Sequence, residues 1–183
     1  MEKAIEILRN GGVILYPSDT IWGIGCDATN PDAVNKIFEL KERSSSKSLI
    51  TLIEQDTKLN RYVREVPDIA WDIVEFAEKP TTIIYPEGYN LAPNLIAEDK
   101  SIGIRIVKKG FCHDLIRKFG KPLVSTSANI SGGPTPISFE DIDIRILEGV
   151  DYIVNLPPNE KLLPKASTIM KIELDGTFTL IRK

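Results

Sequence analysis

Apolar positions in this chain of 183 residues switch between a helical and a strand period, and the switches lay out its elements. Ala4, Ile5, Ile7 and Leu8 recur at helical spacing until Gly11-Gly12 stops the helix, and Val13-Ile14-Leu15-Tyr16 reads as a buried strand ended by Pro17. Asn30 suits an N-cap and Pro31 the first helical position, so a helix is expected from there to about Lys41. Strands are expected near 49–53, 81–85, 102–106, 123–125, 151–154, 168–172 and 177–181, and helices near 68–76, 111–119 and 139–147. Ser138 and Asp141 are placed as a capping box for the last helix. Some successive strands have no helix between them. The expected fold is therefore α/β, one domain over residues 1–183, with a mixed sheet flanked by helices.

This pattern assigns faces to the polar residues. Val34, Ile37, Phe38 and Lys41 fall at i, i+3, i+4 and i+7, so the Lys41 ammonium is aimed inward, and Arg43 can converge on the same anion. A snorkelling lysine near a helix end is the alternative. In Ser101-Ile102-Gly103-Ile104-Arg105-Ile106 the isoleucines take one strand face and leave Ser101, Gly103 and Arg105 on the other, where Arg105 serves either a ligand or a structural ion pair. Ser125, Ser127 and Asn129 alternate likewise, which suggests an oxyanion cradle at the carboxyl end of a strand or, failing that, a hydrogen-bonded turn. Gly23-Ile24-Gly25-Cys26-Asp27-Ala28 superficially fits a dinucleotide fingerprint, but no strand leads straight into a helix there, and it is read as a loop. A Walker-A sequence is absent.

Composition narrows the class. An apolar content of 42% can build a core, and no stretch approaches the roughly 20 apolar residues that span a bilayer, so a soluble cytoplasmic protein with no membrane partner is expected. Two cysteines and one histidine make neither a disulfide framework nor a protein-built metal site. The net charge of −3 argues against wholesale wrapping by nucleic acid. Yet Lys100, Arg105, Lys108, Lys109, Arg117, Lys118 and Lys121 face only Asp114 in their segment, which is either an RNA footprint or a solvated face.

The run Tyr16-Pro17-Ser18-Asp19-Thr20-Ile21-Trp22-Gly23, the pair Lys41-x-Arg43, the strand Ile102-Gly-x-Arg105 and the distant Ser127-x-Asn129 together resemble the YrdC family over nearly the whole chain. The resemblance implies a YrdC-like twisted mixed sheet and synthesis of L-threonylcarbamoyladenylate from L-threonine, bicarbonate and ATP, with release of pyrophosphate, for modification of tRNA. It further implies that Lys41, Arg43, Ser127 and Asn129 grip the triphosphate of ATP with Mg2+. Ser101, Thr135 and Arg182 would lie near the nucleotide. Ser18, Thr20, Arg105, Ser125 and Ser167 would surround threonine. The product would pass to a downstream threonylcarbamoyl-transfer complex. Two segments depart from the family pattern: Ser44 stands where proline is usual, opening a Ser44-Ser45-Ser46-Lys47 loop, and Ala77-Glu78-Lys79-Pro80 replaces a Trp-Pro-Gly-Pro turn expected to wall the site. Two other readings stay open, a YciO-like paralogue of other substrate and a non-enzymatic RNA-binding accessory protein.

Overall fold

The computed structural model describes residues 1–43, 49–155 and 166–183, so the Ser44–Lys47 loop singled out above lies outside the described residues. Five α-helices and nine strands follow in the order α1 (Glu2–Arg9), β1 (Ile14–Pro17), β2 (Trp22–Gly25), α2 (Pro31–Leu40), β3 (Ile50–Ile53), α3 (Asp68–Phe76), β4 (Thr81–Tyr85), β5 (Ile102–Ile106), α4 (Phe111–Phe119), β6 (Leu123–Ser127), α5 (Ile144–Gly149), β7 (Tyr152–Ile153), β8 (Thr168–Ile172) and β9 (Phe178–Arg182). All described strands join one mixed sheet in the order β7-β1-β2-β6-β3-β5-β4-β8-β9. The expected α/β class and mixed sheet hold.

Strand alternation sends side chains to two apolar layers. Ile14 and Tyr16 of β1, Leu52 of β3 and Leu123 of β6 pack under α1 and α4, with Leu8, Leu115, Ile116 and Phe119. Leu15, Ile24, Ile53, Ile83, Ile104 and Val124 face the other way, against α2 and α3, with Val34, Ile37 and Ala70. Each such aliphatic side chain contributes roughly 1.5–3 kcal/mol by leaving water, so the two layers fix which face every strand residue takes.

Helix α2 starts as its sequence requires: the Asn30 carboxamide accepts from the backbone N–H groups of Asp32 (3.0 Å) and Ala33 (3.2 Å). Its other end closes in a Schellman arrangement, with Arg43 N–H on Phe38 O (2.9 Å) and Glu42 N–H on Glu39 O (3.0 Å). Glu42 takes the left-handed conformation (φ 50°) that this turn needs. The turn sends Arg43 away from the helix axis toward the sheet.

Two expectations are corrected. The stretch read as a loop from Gly23 contains β2, which pairs antiparallel with β1 and β6. Glycines carry little strand preference, and the two neighbouring strands supply the order. The helix expected over 139–147 is split into a 3-10 turn, Phe139–Asp141, and α5. Ser138 and Asp141 do form the capping box, but Ile142 is extended and buried in the core, and Asp143 restarts the helix by accepting from Arg145 N–H at 2.9 Å.

Gly25 shows why β2 is glycine-rich. A Cβ there would lie 2.6 Å from Val124 O and 2.7 Å from Tyr16 Cε1, too close to be relieved by a flexible side chain. Gly25→Ala is expected to lower unfolding free energy by about 1–3 kcal/mol, the usual cost of overpacking. Urea denaturation checks this; an unchanged midpoint would show that β2 has slack.

Candidate active site

The layer of α1 and α4 leaves part of its sheet face open, and there the strand register lines up polar side chains. Leu52, Arg105, Thr82, Ile169 and Arg182 are successive cross-strand partners across β3, β5, β4, β8 and β9, and therefore point to one face. A neighbouring register places Ser127 opposite Gly23 and Ser125 opposite Ile50 on that same face. The result is a cleft of about 200 Å³ lined by Ser18, Thr20, Gly23, Arg43, Arg105, Ser125, Ser127, Thr135, Ser167 and Arg182, among others.

Hydroxyl groups form one wall. Ser18 folds the β1–β2 turn on itself: its Oγ donates to Ile21 O (2.6 Å), accepts from Thr20 N–H (3.1 Å) and lies 3.0 Å from Thr20 Oγ1. The Tyr16 hydroxyl donates to Ser125 Oγ at 2.8 Å. Its ring reaches that serine across Gly23 and Gly25, whose missing side chains leave the space. Burial raises the Tyr16 phenol well above its ordinary pKa, so it remains a neutral donor at physiological pH. Tyr16 was not among the residues predicted for the site, and neither was Asp19. Both lie in the Tyr16–Gly23 run, but no single-sequence signal gives their partners.

Cations form the other wall. Arg43, Arg105 and Arg182 line the cleft, and no carboxylate lines it among the described residues. Asp19 reaches Arg105 from outside, accepting from Nη2 at 2.7 Å, while the buried Nε of Arg105 has no hydrogen-bond partner among the described residues. Arg182 donates from Nε (3.0 Å) and Nη2 (2.9 Å) to Ser167 O, which ties β9 to the segment before β8. Ser167 in turn shares a 2.9 Å hydrogen bond with Thr82. Burial lowers the pKa of Arg182, with the nearby Arg105 charge second, and burial lowers that of Arg43. Three guanidiniums in one concavity repel each other, and a bound anion relieves that repulsion.

Three predicted site residues lie elsewhere. Lys41 points inward, as its helical position implies, but its ammonium donates to Ser127 O (2.6 Å), Asn129 O (2.5 Å) and, more weakly, Asn129 Oδ1 (3.4 Å), and it does not line the cleft. The Asn129 side chain is committed to the turn: Oδ1 accepts from Ser127 Oγ (2.5 Å), and Nδ2 donates to Gly133 O (2.7 Å) and Ile130 O (3.1 Å). Ser101 takes part in a turn with Asp99, at the end of β5 remote from Arg105. The first two shape the cleft by holding the chain that leaves β6. The Ala77–Pro80 turn, which replaces the family turn expected to wall the site, borders a different cavity.

Part of the basic segment is held by protein partners. Lys108 donates to Val74 O (2.8 Å) and Glu75 O (3.3 Å) at the end of α3, Arg117 pairs with Asp114 (3.4 Å), and Lys121 pairs with Asp27 (2.6 Å). Lys100, Lys109 and Lys118 of the segment are exposed.

A family model described as Sua5_yciO_yrdC, telomere recombination, matches residues 6–183, and the chain belongs to this family. It is 36% identical over 159 residues, 85% of this chain and 85% of the relative, to the threonylcarbamoyl-AMP synthase of Stenotrophomonas maltophilia (strain K279a). Among solved structures it is similar to E. coli YciO, with a TM-score of 0.84 and 25% identity over 99% of this chain and 87% of that one. P. abyssi Sua5 complexed with L-threonine is also similar, with a TM-score of 0.79 and 25% identity over 93% of this chain and 50% of that one. The chain thus spans about half the length of the P. abyssi protein.

Lys41 generates a pH prediction. Burial pulls its pKa down to about 8, with the charge of Arg43 a second cause. The unfolded chain keeps this proton to about pH 10.4, so between pH 8 and 10 the unfolded state holds more protons and stability at this site rises with pH. Lys41→Met is expected to remove that rise, a difference on the order of 1–3 kcal/mol between wild type and variant across the window. Urea titrations at pH 7.5 and 10 measure it, and parallel pH profiles would show that Lys41 titrates normally.

Proposed function

We propose that the cleft binds L-threonine, bicarbonate-derived carbamate and ATP, and that the protein is a nucleotidyltransferase making L-threonylcarbamoyladenylate for tRNA modification in the cytoplasm. The observation that carries this reading is the convergence of Arg43, Arg105 and Arg182 on one cleft whose remaining polar groups are hydroxyls. Guanidiniums match carboxylate and phosphate geometry, and hydroxyls serve neutral and anionic oxygens alike. The name of the Stenotrophomonas relative and the threonine in the P. abyssi complex support the same chemistry.

In this reading Arg105, with its unmet buried Nε, takes the threonine carboxylate, and Ser18, Thr20, Ser125 and Ser167 surround the amino acid. Arg43, Ser127, Thr135 and Arg182 face the nucleotide. A carbamate oxygen attacks the α-phosphorus, a new P–O bond forms, the bond to the β-phosphate oxygen breaks, and pyrophosphate leaves. Such a displacement depends on positioning and charge neutralisation more than on a base. Lys41 and Asn129 act as positioning residues that set the Ser127 backbone. The donor set of guanidiniums and hydroxyls suits anions rather than a resident cation, so Mg2+ enters as part of the ATP substrate. The product then passes to a downstream transfer complex.

The YciO-like reading, with another substrate in the same cleft, is favoured by one observation: the TM-score to E. coli YciO is 0.84, against 0.79 to the P. abyssi Sua5 complex. Incubation with labelled bicarbonate, ATP, magnesium and threonine, followed by mass spectrometry, decides between them. Threonylcarbamoyladenylate is expected only when threonine is present. Arg105→Met and Arg43→Met should each lower kcat/KM about 10- to 100-fold, the loss of one charge-assisted hydrogen bond of roughly 1.5–3 kcal/mol. Folded protein that binds ATP but makes no adenylate would transfer the case to the YciO-like reading.

A further inference from the structure

We propose that the protein carries a second binding site, on the opposite sheet face, for an elongated aromatic carboxylic acid with a hydrogen-bonding atom at its far end. The site is a cavity of about 380 Å³ between the C-terminal end of α3 and strands β4 and β5. Its walls include Ile73 and Val74 of α3, Ile83 of β4, and Ile104 and Ile106 of β5. By alternation these strand residues point away from Thr82 and Arg105, and hence away from the cleft. The proposal is independent of which substrate the cleft takes.

Size and lining suit a small molecule, since ligand pockets run from about 300 Å³ upward and are mostly apolar with a few polar groups. Two polar features define what would fill it. Tyr85 lines the cavity and is 1% exposed. Its phenol hydroxyl can donate to or accept from a ligand atom in the cavity. At the other end, the lining includes Lys79 and Lys109, both exposed. Asp19 also lines this end, but its carboxylate already pairs with Arg105 at 2.7 Å, and Lys108 is held by the α3 carbonyls. Glu78 opposes two lysines, which leaves an excess of positive charge at the mouth.

The register sets the length. Thr81 lies at the lysine end of β4 and Tyr85 four residues along it, a distance of roughly 13 Å. A carboxylate at the lysines, a flat apolar body between the isoleucines and α3, and a hydroxyl or ring N–H at Tyr85 fill that span. Asp19 borders this cavity and holds Arg105 of the cleft, so the two sites are neighbours through one residue and the test must tell them apart.

The probe is 3-(4-hydroxyphenyl)propionate, titrated by NMR and calorimetry against the whole protein, beside 3-phenylpropionate and the uncharged 3-phenylpropanol. Saturable binding of the hydroxylated acid is expected at or below the millimolar range. Ala77→Trp and, independently, Ile83→Phe fill the cavity and should weaken it at least tenfold. Tyr85→Phe should weaken it several-fold while leaving 3-phenylpropionate unchanged, and Lys79→Glu with Lys109→Glu should weaken both acids but not the alcohol. Arg43→Ala, in the cleft, should change none of these. No saturation by about 10 mM, equal binding by both cavity-filling variants that remain folded, or loss of binding in Arg43→Ala would overturn the proposal.

Discussion

The buried Lys41 ammonium is the interaction on which the geometry of the cleft depends. It sits at the end of α2 with 1% exposure and spends its hydrogen bonds on Ser127 O, Asn129 O and Asn129 Oδ1. A charge taken out of water must find such partners or neutralise. Carbonyl oxygens serve here in place of a carboxylate, and the Ser131 N–H returns a 2.9 Å hydrogen bond to Lys41 O. Helix and strand exit are thereby locked in one register. The left-handed Glu42 that follows can then deliver Arg43 to the cleft while Ser127 faces it.

Around that lock, the sheet separates charge from oil. Strands β4 and β5 present Thr82 and Arg105 on one face and Ile83, Tyr85, Ile104 and Ile106 on the other. One face collects guanidiniums and hydroxyls over a polar cleft, the other a mostly apolar cavity. Asp19 belongs to both, since its carboxylate pairs with Arg105 while the residue borders the cavity. Membership of the Sua5, YciO and YrdC family gives the cleft its most direct chemical reading.

Tyr16 illustrates how a side chain from the packed layer reaches the site. Its ring is part of the layer under α1 and α4, yet its hydroxyl ends on Ser125. Only the pair Gly23 and Gly25 gives it a path. The glycines that superficially fit a dinucleotide fingerprint serve close packing between a strand and a ring.

The sequence by itself determined the class and most elements, because period and capping act locally. Asn30, Pro31 and the α2 stripe place a helix and turn Lys41 inward, and alternation in 101–106 and 123–127 puts Arg105, Ser125 and Ser127 on defined strand faces. Only the tertiary structure decided which of these meet. Arg105 and Arg182 share a row because β5, β4, β8 and β9 pair side by side, with a register shift between Ile169 and Met170 that sets Arg182 opposite Ile169, and β2 exists as a strand because β1 and β6 bracket it. Lys41 and Asn129 were legible as polar residues of the right kind, but not as each other's partners. Local preferences fix where a side chain points, whereas the partner it finds depends on contacts 86 or 88 residues apart, which no local pattern encodes.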